Sequence, residues 1–184
     1  DAVTPDVLIK ALLTADIDLL WFGGIGAYIK ASTQSHADVG DKTNDILRVD
    51  AKDVRAKVIA EGANLGVTQA GRIEFARKGG RINTDAIDNS AGVDSSDHEV
   101  NIKILTAEAI HEGALKAGDR NALLASMTDD VGHLVLENNY DQTAALSVMQ
   151  ATAPADLDSH EGLIETLETQ GKLDRVVEGL PSTE

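Results

Sequence analysis

Apolar residues in the first ninety positions occur in short runs that end at glycine or a small polar residue. Residues 17–22 (IDLLWF) and 56–60 (AKVIA) are mostly apolar, which is typical of strands buried in a parallel sheet. Residues 81–87 (RINTDAI) alternate in polarity, and this alternation predicts a third strand. The spacing of apolar residues also predicts two helices, over 5–15 and 68–78.

The order strand, helix, strand over residues 56–87 is that of a βαβ unit in a parallel sheet. Residues 31–50 are polar and give no clear pattern, although 36–48 leave room for a helix. We therefore predict an α/β fold over residues 1–92. It would contain about three parallel strands with helices between them.

The second half of the chain, residues 93–184, has a helical pattern throughout. Apolar residues recur at helical spacing from about Val100 onward, with a break at Gly118-Asp119. Pro154 is predicted to interrupt this pattern, because proline cannot donate the backbone hydrogen bond of a helix interior. Asp158-x-x-Glu161 resembles a capping box, which would begin a further helix. We predict an all-helical segment.

Glycine or asparagine follows each predicted strand: Gly23 and Gly24 the first, Asn64 the second and Asn89 the third. The carboxyl ends of parallel strands meet at one edge of a sheet, where open α/β sheets bind ligands. These residues are therefore predicted to line one ligand site. Each sequence alone is equally consistent with a tight turn, and the G-x-G that starts at Gly24 has Ile29 where a dinucleotide fingerprint has its third glycine.

The stretch from 87 to 103 (IDNSAGVDSSDHEVNIK) is dense in polar side chains, more than a turn requires, and predicts a loop and helix start that bind a ligand. His98 and Glu99 are neighbours, so on a helix they point about 100° apart and cannot chelate one ion, and we predict no metal site. Neither Ser95 nor Ser96 stands in a G-x-S-x-G elbow, so a Ser-His-Asp triad is not predicted.

Charge and cysteine content narrow the range of functions. The net charge of −15, from 31 acidic and 16 basic residues, argues against nucleic acid or an anionic membrane as a partner. The absence of cysteine excludes disulfides and thiolate metal sites and fits a cytoplasmic protein. No apolar run approaches the roughly 20 residues of a membrane span. The amino terminus lacks both a signal sequence and an initiator methionine, so we expect a piece of a longer protein.

Several segments are similar to the large bacterial NAD-specific glutamate dehydrogenases, in the later part of their catalytic region. The segments are LLWFGGIGAYIKAS, SHADVGDKTND, EGANLGVTQAGRIEFARKGGRINTDAIDNSAGVDSSDHEVNIK and RNALLASMTDDV. The smaller glutamate dehydrogenases carry a related pair, AEGAN and an N-A-G-G-V that is followed three residues later by serine. Here the second motif reads N-S-A-G-V, with Ser90 and Ala91 in place of its small residues.

The resemblance implies an enzyme that deaminates L-glutamate oxidatively to 2-oxoglutarate and ammonia, with NAD as cofactor. It places Asn64 near the nicotinamide ribose and Asn89 against the dinucleotide. It assigns Ser96 to the side-chain carboxylate of the substrate. Gly23 and Gly24 would meet the cofactor through their backbone. The full-length protein is expected to be a homo-oligomer.

The family's catalytic lysine and aspartate, and the phosphate-binding first half of its Rossmann domain, are expected to lie upstream of Asp1, so no catalytic residue is assigned. The resemblance thus implies that residues 1–92 are the carboxyl-terminal part of a Rossmann-like dinucleotide-binding domain. We expect the isolated chain to be inactive and to bind NAD weakly or not at all. Two other hypotheses remain open. In the first, the protein is not an enzyme, and its helical half is an interaction or regulatory module carried on an α/β scaffold. In the second, the enzyme is a dehydrogenase for another amino acid.

Overall fold

The computed structural model describes residues 2–182. An α/β part is followed by a helical part, as the sequence predicts. The elements of the α/β part are α1 (Pro5–Leu13), β1 (Leu19–Phe22), β2 (Ile29–Lys30), α2 (His36–Val39), β3 (Val49–Asp50), β4 (Val58–Glu61), α3 (Gln69–Arg77) and α4 (Asp85–Asp88). The helical part contains α5 (Ser90–His111), α6 (Arg120–Ser126) and α7 (Thr128–Thr169). Short 3₁₀ turns occupy Lys42–Asn44, Ala51–Asp53 and Ala117–Asp119.

All strand pairing in the described residues is parallel. Strand β1 pairs with β4 from Leu19 opposite Val58 to Phe22 opposite Glu61. Strands β2 and β3 form a second, two-residue parallel pair. The two pairs lie in separate small sheets, and a single bridge joins Ile29 to Val67. The predicted parallel arrangement is therefore confirmed for the strands at 17–22 and 56–60.

The predicted third strand over 81–87 is wrong beyond its first residue. Arg81 forms one parallel bridge with Val58, and its carbonyl accepts from Ile59 N at 2.9 Å. The chain then leaves the sheet, because Thr84 adopts the extended conformation of a helix N-cap and α4 begins at Asp85. The acidic residue in the first turn favours this helix start over continued pairing.

The core of the α/β part lies between the strands and α3. Its largest fully buried apolar side chains are Ile29, Ile59, Val67 and Phe75, the last from α3. Helix α3 begins at its cap Thr68, whose hydroxyl accepts from Gly71 N, and it ends before Gly79-Gly80 as predicted.

The sequence pattern predicts that strand β1 is buried on both faces. In the structure, one face of β1 is exposed. Leu19 is 54% exposed and Trp21 is 60% exposed, whereas Phe22 belongs to the core. Apolar residues alone do not show which face of a strand is covered, because that depends on the elements packed against it.

The helical part is built on α5 and α7, which contact each other directly. The predicted break near Gly118 is confirmed by the 3₁₀ turn between α5 and α6. The predicted interruption at Pro154 is wrong, because α7 continues for 42 residues and contains this proline. Loss of one backbone hydrogen bond is tolerated between flanking alanines, the strongest helix formers. Asp158 and Glu161 consequently lie inside α7 and form no cap.

Candidate functional site

The turns after β1 and β4 lie side by side at the carboxyl ends of the two paired strands. Gly62 N and Ala63 N both donate to the Phe22 carbonyl, at 2.9 and 3.1 Å. The indole of Trp21 covers the two turns, since a Cβ on either Gly23 or Gly62 would lie 2.5 Å from the ring. The glycines are thus required where the indole approaches the backbone. Gly24 faces open space.

Asn64 and Asn89 are in direct contact at this edge. The Asn89 side-chain amide donates to the Asn64 side-chain oxygen and, at 3.2 Å, to the Ala63 carbonyl. The prediction that these residues would share one edge of the sheet is confirmed, although Asn89 follows the short helix α4 and not a strand. An asparagine amide can both donate and accept, so the pair offers both functions to a polar ligand.

Helix α4 is attached to the end of β4 by its two acidic side chains. The Asp88 carboxylate accepts from Glu61 N at 3.2 Å, and the Asp85 carboxylate accepts from Leu65 N at 3.1 Å. These bonds bring the carboxyl end of α4, and therefore Asn89, next to the Asn64 turn. The second hydrogen bond also supports Leu65 in its left-handed conformation at φ 63°.

A buried ion pair between Glu61 and Arg72 stabilises the turn that contains Asn64. Glu61 is 1% exposed, and its Oε1 accepts from Val67 N at 3.1 Å and from the Arg72 guanidinium at 2.9 Å. The other oxygen, Oε2, has no hydrogen-bond partner within residues 2–182. Burial raises the pKa of the Glu61 carboxyl, an effect that the charge and hydrogen bond of Arg72 oppose. Arg72 also donates to the Asn83 carbonyl at 2.7 Å, which ties α3 to the segment before α4.

Ser96 lies on the first part of α5 and does not contact the asparagine pair. It follows Asn89 by seven residues, which is nearly two helical turns and about 10 Å along the axis, so the two residues share one face. Its hydroxyl donates to the Gly92 carbonyl at 3.1 Å, and the side chain is exposed. Ser95 makes the equivalent bond to the Ala91 carbonyl at 2.7 Å.

Part of the polar stretch from 87 to 103 serves packing within the protein and not a ligand. Ser90 donates to Asn139 on α7 at 2.8 Å, and Asp94 accepts from Asn138 at 2.9 Å. The predicted loop is absent, because Ser90 is already the first residue of α5. Because polar residues such as Ser90 and Asp94 occupy the face of α5 that meets α7, the start of this helix shows no apolar periodicity in the sequence.

A cleft of about 880 Å³ opens beside Asn64. One wall is the segment after the glycine turn, from Ile25 to Tyr28, and another is formed by residues 38–44. The floor includes Asn64, Leu65 and Thr68. Sequence patterns did not single out residues 36–48, where acidic residues and Arg48 are spread without motif spacing.

Two negative findings apply to residues 2–182. No three His, Asp or Glu side chains in this range are grouped so that they would hold a metal ion. No helix in the same range has the length and apolar character needed to cross a membrane.

Residues 1–149 match the family described as bacterial NAD-glutamate dehydrogenase, catalytic domain. The chain belongs to this family. Similar relatives include the NAD-specific glutamate dehydrogenases of Pseudomonas aeruginosa, 57% identical over 184 residues, and of Halomonas elongata, 50% identical over 184 residues. The NAD-specific glutamate dehydrogenase of Mycobacterium tuberculosis is 54% identical over 180 residues, 98% of this chain.

The chain spans 11% of the length of each of these three relatives. The likeness to the Pseudomonas and Halomonas enzymes extends over all 184 residues, so it includes the later part of α7 that lies beyond the match to the family. The sequence similarity to these two relatives therefore covers the helical part as well as the α/β part.

Proposed function

We propose that this chain forms one wall of the cofactor and substrate cleft of an NAD-dependent glutamate dehydrogenase. The whole enzyme would convert L-glutamate to 2-oxoglutarate and ammonia. The contact between Asn64 and Asn89 at the carboxyl ends of parallel strands carries this proposal. In a chain of this family, such an arrangement of amides beside glycine turns is well suited to a dinucleotide.

The residues present fit NAD as a ligand. Gly23 and Gly24 are exposed, and Gly24 has open space where a side chain would stand, so a ligand can approach the backbone there. Asn64 and Asn89 would bind and orient the polar groups of the cofactor. NAD, when bound, supplies the acceptor for the hydride that leaves the amino acid.

Ser96 would bind the side-chain carboxylate of glutamate. Its exposed hydroxyl already has a backbone acceptor, but it can turn to donate to a carboxylate. Its place on the same face of α5 as Asn89 supports a substrate held alongside the cofactor. Such positioning is the main contribution that this chain would make to the rate.

No residue of this chain is assigned to acid–base chemistry. We infer that the isolated chain is inactive and binds NAD weakly or not at all. The α/β part would be the later part of a Rossmann-like domain, with the division between 1–92 and 93–184. We further propose that the whole enzyme is a cytoplasmic homo-oligomer, with no nucleic acid and no membrane as partner.

The test is NADH formation, followed at 340 nm, by a full-length dehydrogenase that carries this segment. The host can be the Pseudomonas aeruginosa enzyme with its matching segment replaced. Activity with L-glutamate and NAD is expected, with NADP and other amino acids as controls. No activity with any amino acid would reject the proposal, and equal activity with another amino acid would reject glutamate as the substrate.

Substitution of Asn89 tests the site itself. In the active full-length enzyme, Asn89→Ala should lower turnover with little change in thermal stability. Asn121→Ala is the matched control, because Asn121 is an exposed asparagine of α6. If stability falls and turnover per folded molecule is unchanged, Asn89 has only a structural role.

A further inference from the structure

The backbone of Ala27, just after the glycine turn, is held at both its N–H and its carbonyl. Ala27 N donates to the Asp41 carboxylate at 2.9 Å, and the Ala27 carbonyl accepts from Arg48 Nε at 2.8 Å. Ala27 is buried. Both partners come from a segment 14 and 21 residues further along the chain. Side chains, and not a sheet ladder, therefore fix the backbone at Ala27.

Arg48 is engaged at each of its three nitrogens, and its side chain is 0% exposed. Besides Nε, NH2 donates to the Asp41 carbonyl at 2.6 Å and NH1 donates to Asp45 at 2.5 Å. NH1 also lies 2.9 Å from His36 Nδ1. Such a set needs the planar fork of a guanidinium, which a lysine ammonium cannot reproduce. Arg48 thus joins α2, the 3₁₀ turn at Lys42–Asn44 and the backbone of Ala27 into one unit.

Asp41 extends this unit to the turn itself. Its Oδ2 accepts from the Asn44 side chain at 2.7 Å as well as from Ala27 N. These hydrogen bonds, with the nearby Arg48 charge, hold the pKa of the Asp41 carboxyl below its usual value. Asn44 lies against Gly26, where a Cβ would stand 2.6 Å from the amide nitrogen. Gly26 has φ +121°, a conformation that favours glycine.

The unit borders the cleft beside Asn64. Gly26, Asp41 and Asn44 line this cleft together with Asn64. Ile25, in contrast, is 86% exposed, and its carbonyl is held by the Tyr28 hydroxyl at 3.0 Å. The turn from Gly23 to Ile25 therefore presents its backbone outward while its far end is anchored.

We propose that Arg48 and Asp41 are positioning residues that hold the Gly23–Ala27 turn in the shape that receives the dinucleotide. This inference rests on the proposed function, because it needs the turn to meet NAD. A turn that is already ordered loses less conformational entropy on binding, so the anchor raises affinity without touching the ligand. Release of the anchor should weaken NAD binding more than glutamate binding.

The experiment measures the Kd of NADH by its fluorescence, in a full-length dehydrogenase that carries this segment. We expect Arg48→Lys to raise this Kd about tenfold, equivalent to about 1.4 kcal/mol. Asp41→Asn, which keeps the size of the side chain, should raise it less. The KM for NAD should rise in parallel, whereas the KM for glutamate should stay within about twofold.

The matched control is Arg55→Lys. Arg55 Nε also donates to a backbone carbonyl, that of Thr14 at 2.8 Å, but it is exposed and outside the cleft. Its Kd for NADH should equal that of the unchanged enzyme. Hydrogen exchange of residues 23–30 supplies a second readout, and both variants of the anchor should exchange faster there than the control.

Several results would overturn the inference. One is an unchanged NADH Kd in both anchor variants when exchange at 23–30 is faster. Another is a loss of thermal stability with an unchanged Kd per folded molecule, which would show a structural role only. If Arg48→Lys does not fold, Asp41→Asn decides. If the enzyme without substitutions binds no NADH, both the proposed function and this inference are rejected. If that enzyme binds NADH and both variants bind it with the same Kd, the inference alone is rejected.

Discussion

The α/β part and the helical part of this chain differ in what they bury. The α/β part encloses an apolar core and four charged side chains, Lys30, Arg48, Glu61 and Arg72. From residue 90 to residue 182, the buried side chains are Thr106 and Val135. Helices α5 and α7 lie against each other but leave many apolar residues exposed, among them Val93, Ile104, Leu105, Leu136, Tyr140, Met149 and Leu157.

This difference shows that a clear apolar pattern does not by itself provide a core. The helical part contains the longest helices and many apolar residues, yet these residues find few partners among residues 2–182. The α/β part has short and irregular patterns, yet it closes around Ile29, Ile59 and Phe75. Most helical stability in proteins comes from packing an apolar face, so we expect the helical part to be the less stable of the two.

The largest expected effect comes from the buried ion pair. Arg72→Met leaves the Glu61 carboxylate buried without its partner and should lower the free energy of unfolding by about 3–5 kcal/mol. Urea unfolding of the 184-residue chain, followed by the fluorescence of its single tryptophan, Trp21, reports on the sheet that contains it.

Arg175→Met is the matched change in the helical part. Arg175 pairs with Glu168 at 2.8 Å, and their side chains are 16% and 28% exposed, against 6% and 0% for Arg72 and Glu61, so solvent screens this pair more. The loss of stability should therefore be much smaller, as measured by circular dichroism. Equal losses for the two variants would contradict the comparison between the two parts.

A smaller effect is expected from one substitution made in both parts. Ile59→Val removes one methylene group from the β4 core and should cost about 0.5–1.5 kcal/mol. Ile104→Val removes the same group from an exposed position of α5 and should change stability by less than about 0.5 kcal/mol. Urea unfolding, followed by both Trp21 fluorescence and circular dichroism, measures the two changes. A larger loss at Ile104 would show that α5 is buried in solution.

The smallest effect is a pH dependence with opposite sign in the two parts. Burial raises the pKa of Glu61 above its reference value of 4.5, so the folded state binds this proton more tightly than the unfolded state. Its stabilising contribution is present below pH 4.5 and is lost as the pH rises through the folded pKa. Glu61→Gln cannot titrate, and it should gain stability relative to the unchanged chain as the pH rises.

Glu168 provides the opposite case. The hydrogen bond from Arg175 lowers its pKa, so its contribution is present above the reference value of 4.5 and is lost as the pH falls. Glu168→Gln should therefore lose stability relative to the unchanged chain as the pH rises. Unfolding free energies measured from about pH 3, below the ordinary glutamate pKa, to about pH 7, above it, test both signs. The same sign for both variants would contradict the assignment.

The sequence by itself determined that an α/β part precedes a helical part, and it singled out the two asparagines that meet at the sheet edge. Apolar runs and glycine stops placed β1, β4 and α3 to within a few residues, because these signals are local. The glycines and asparagines after the strands identified one shared edge, because parallel strands end on the same side. Asn64 and Asn89 meet there, although the helix α4 and not a strand precedes Asn89.

Only the tertiary structure decided which residues hold that edge in place. Glu61 with Arg72, and Arg48 with Asp41 and Ala27, join positions 7 to 21 residues apart through side chains that follow no repeat. The same holds for the polar start of α5, whose Ser90 and Asp94 bind α7, and for Pro154, which α7 accommodates. Periodicity describes how one element meets its surroundings, whereas these contacts depend on which distant element arrives there.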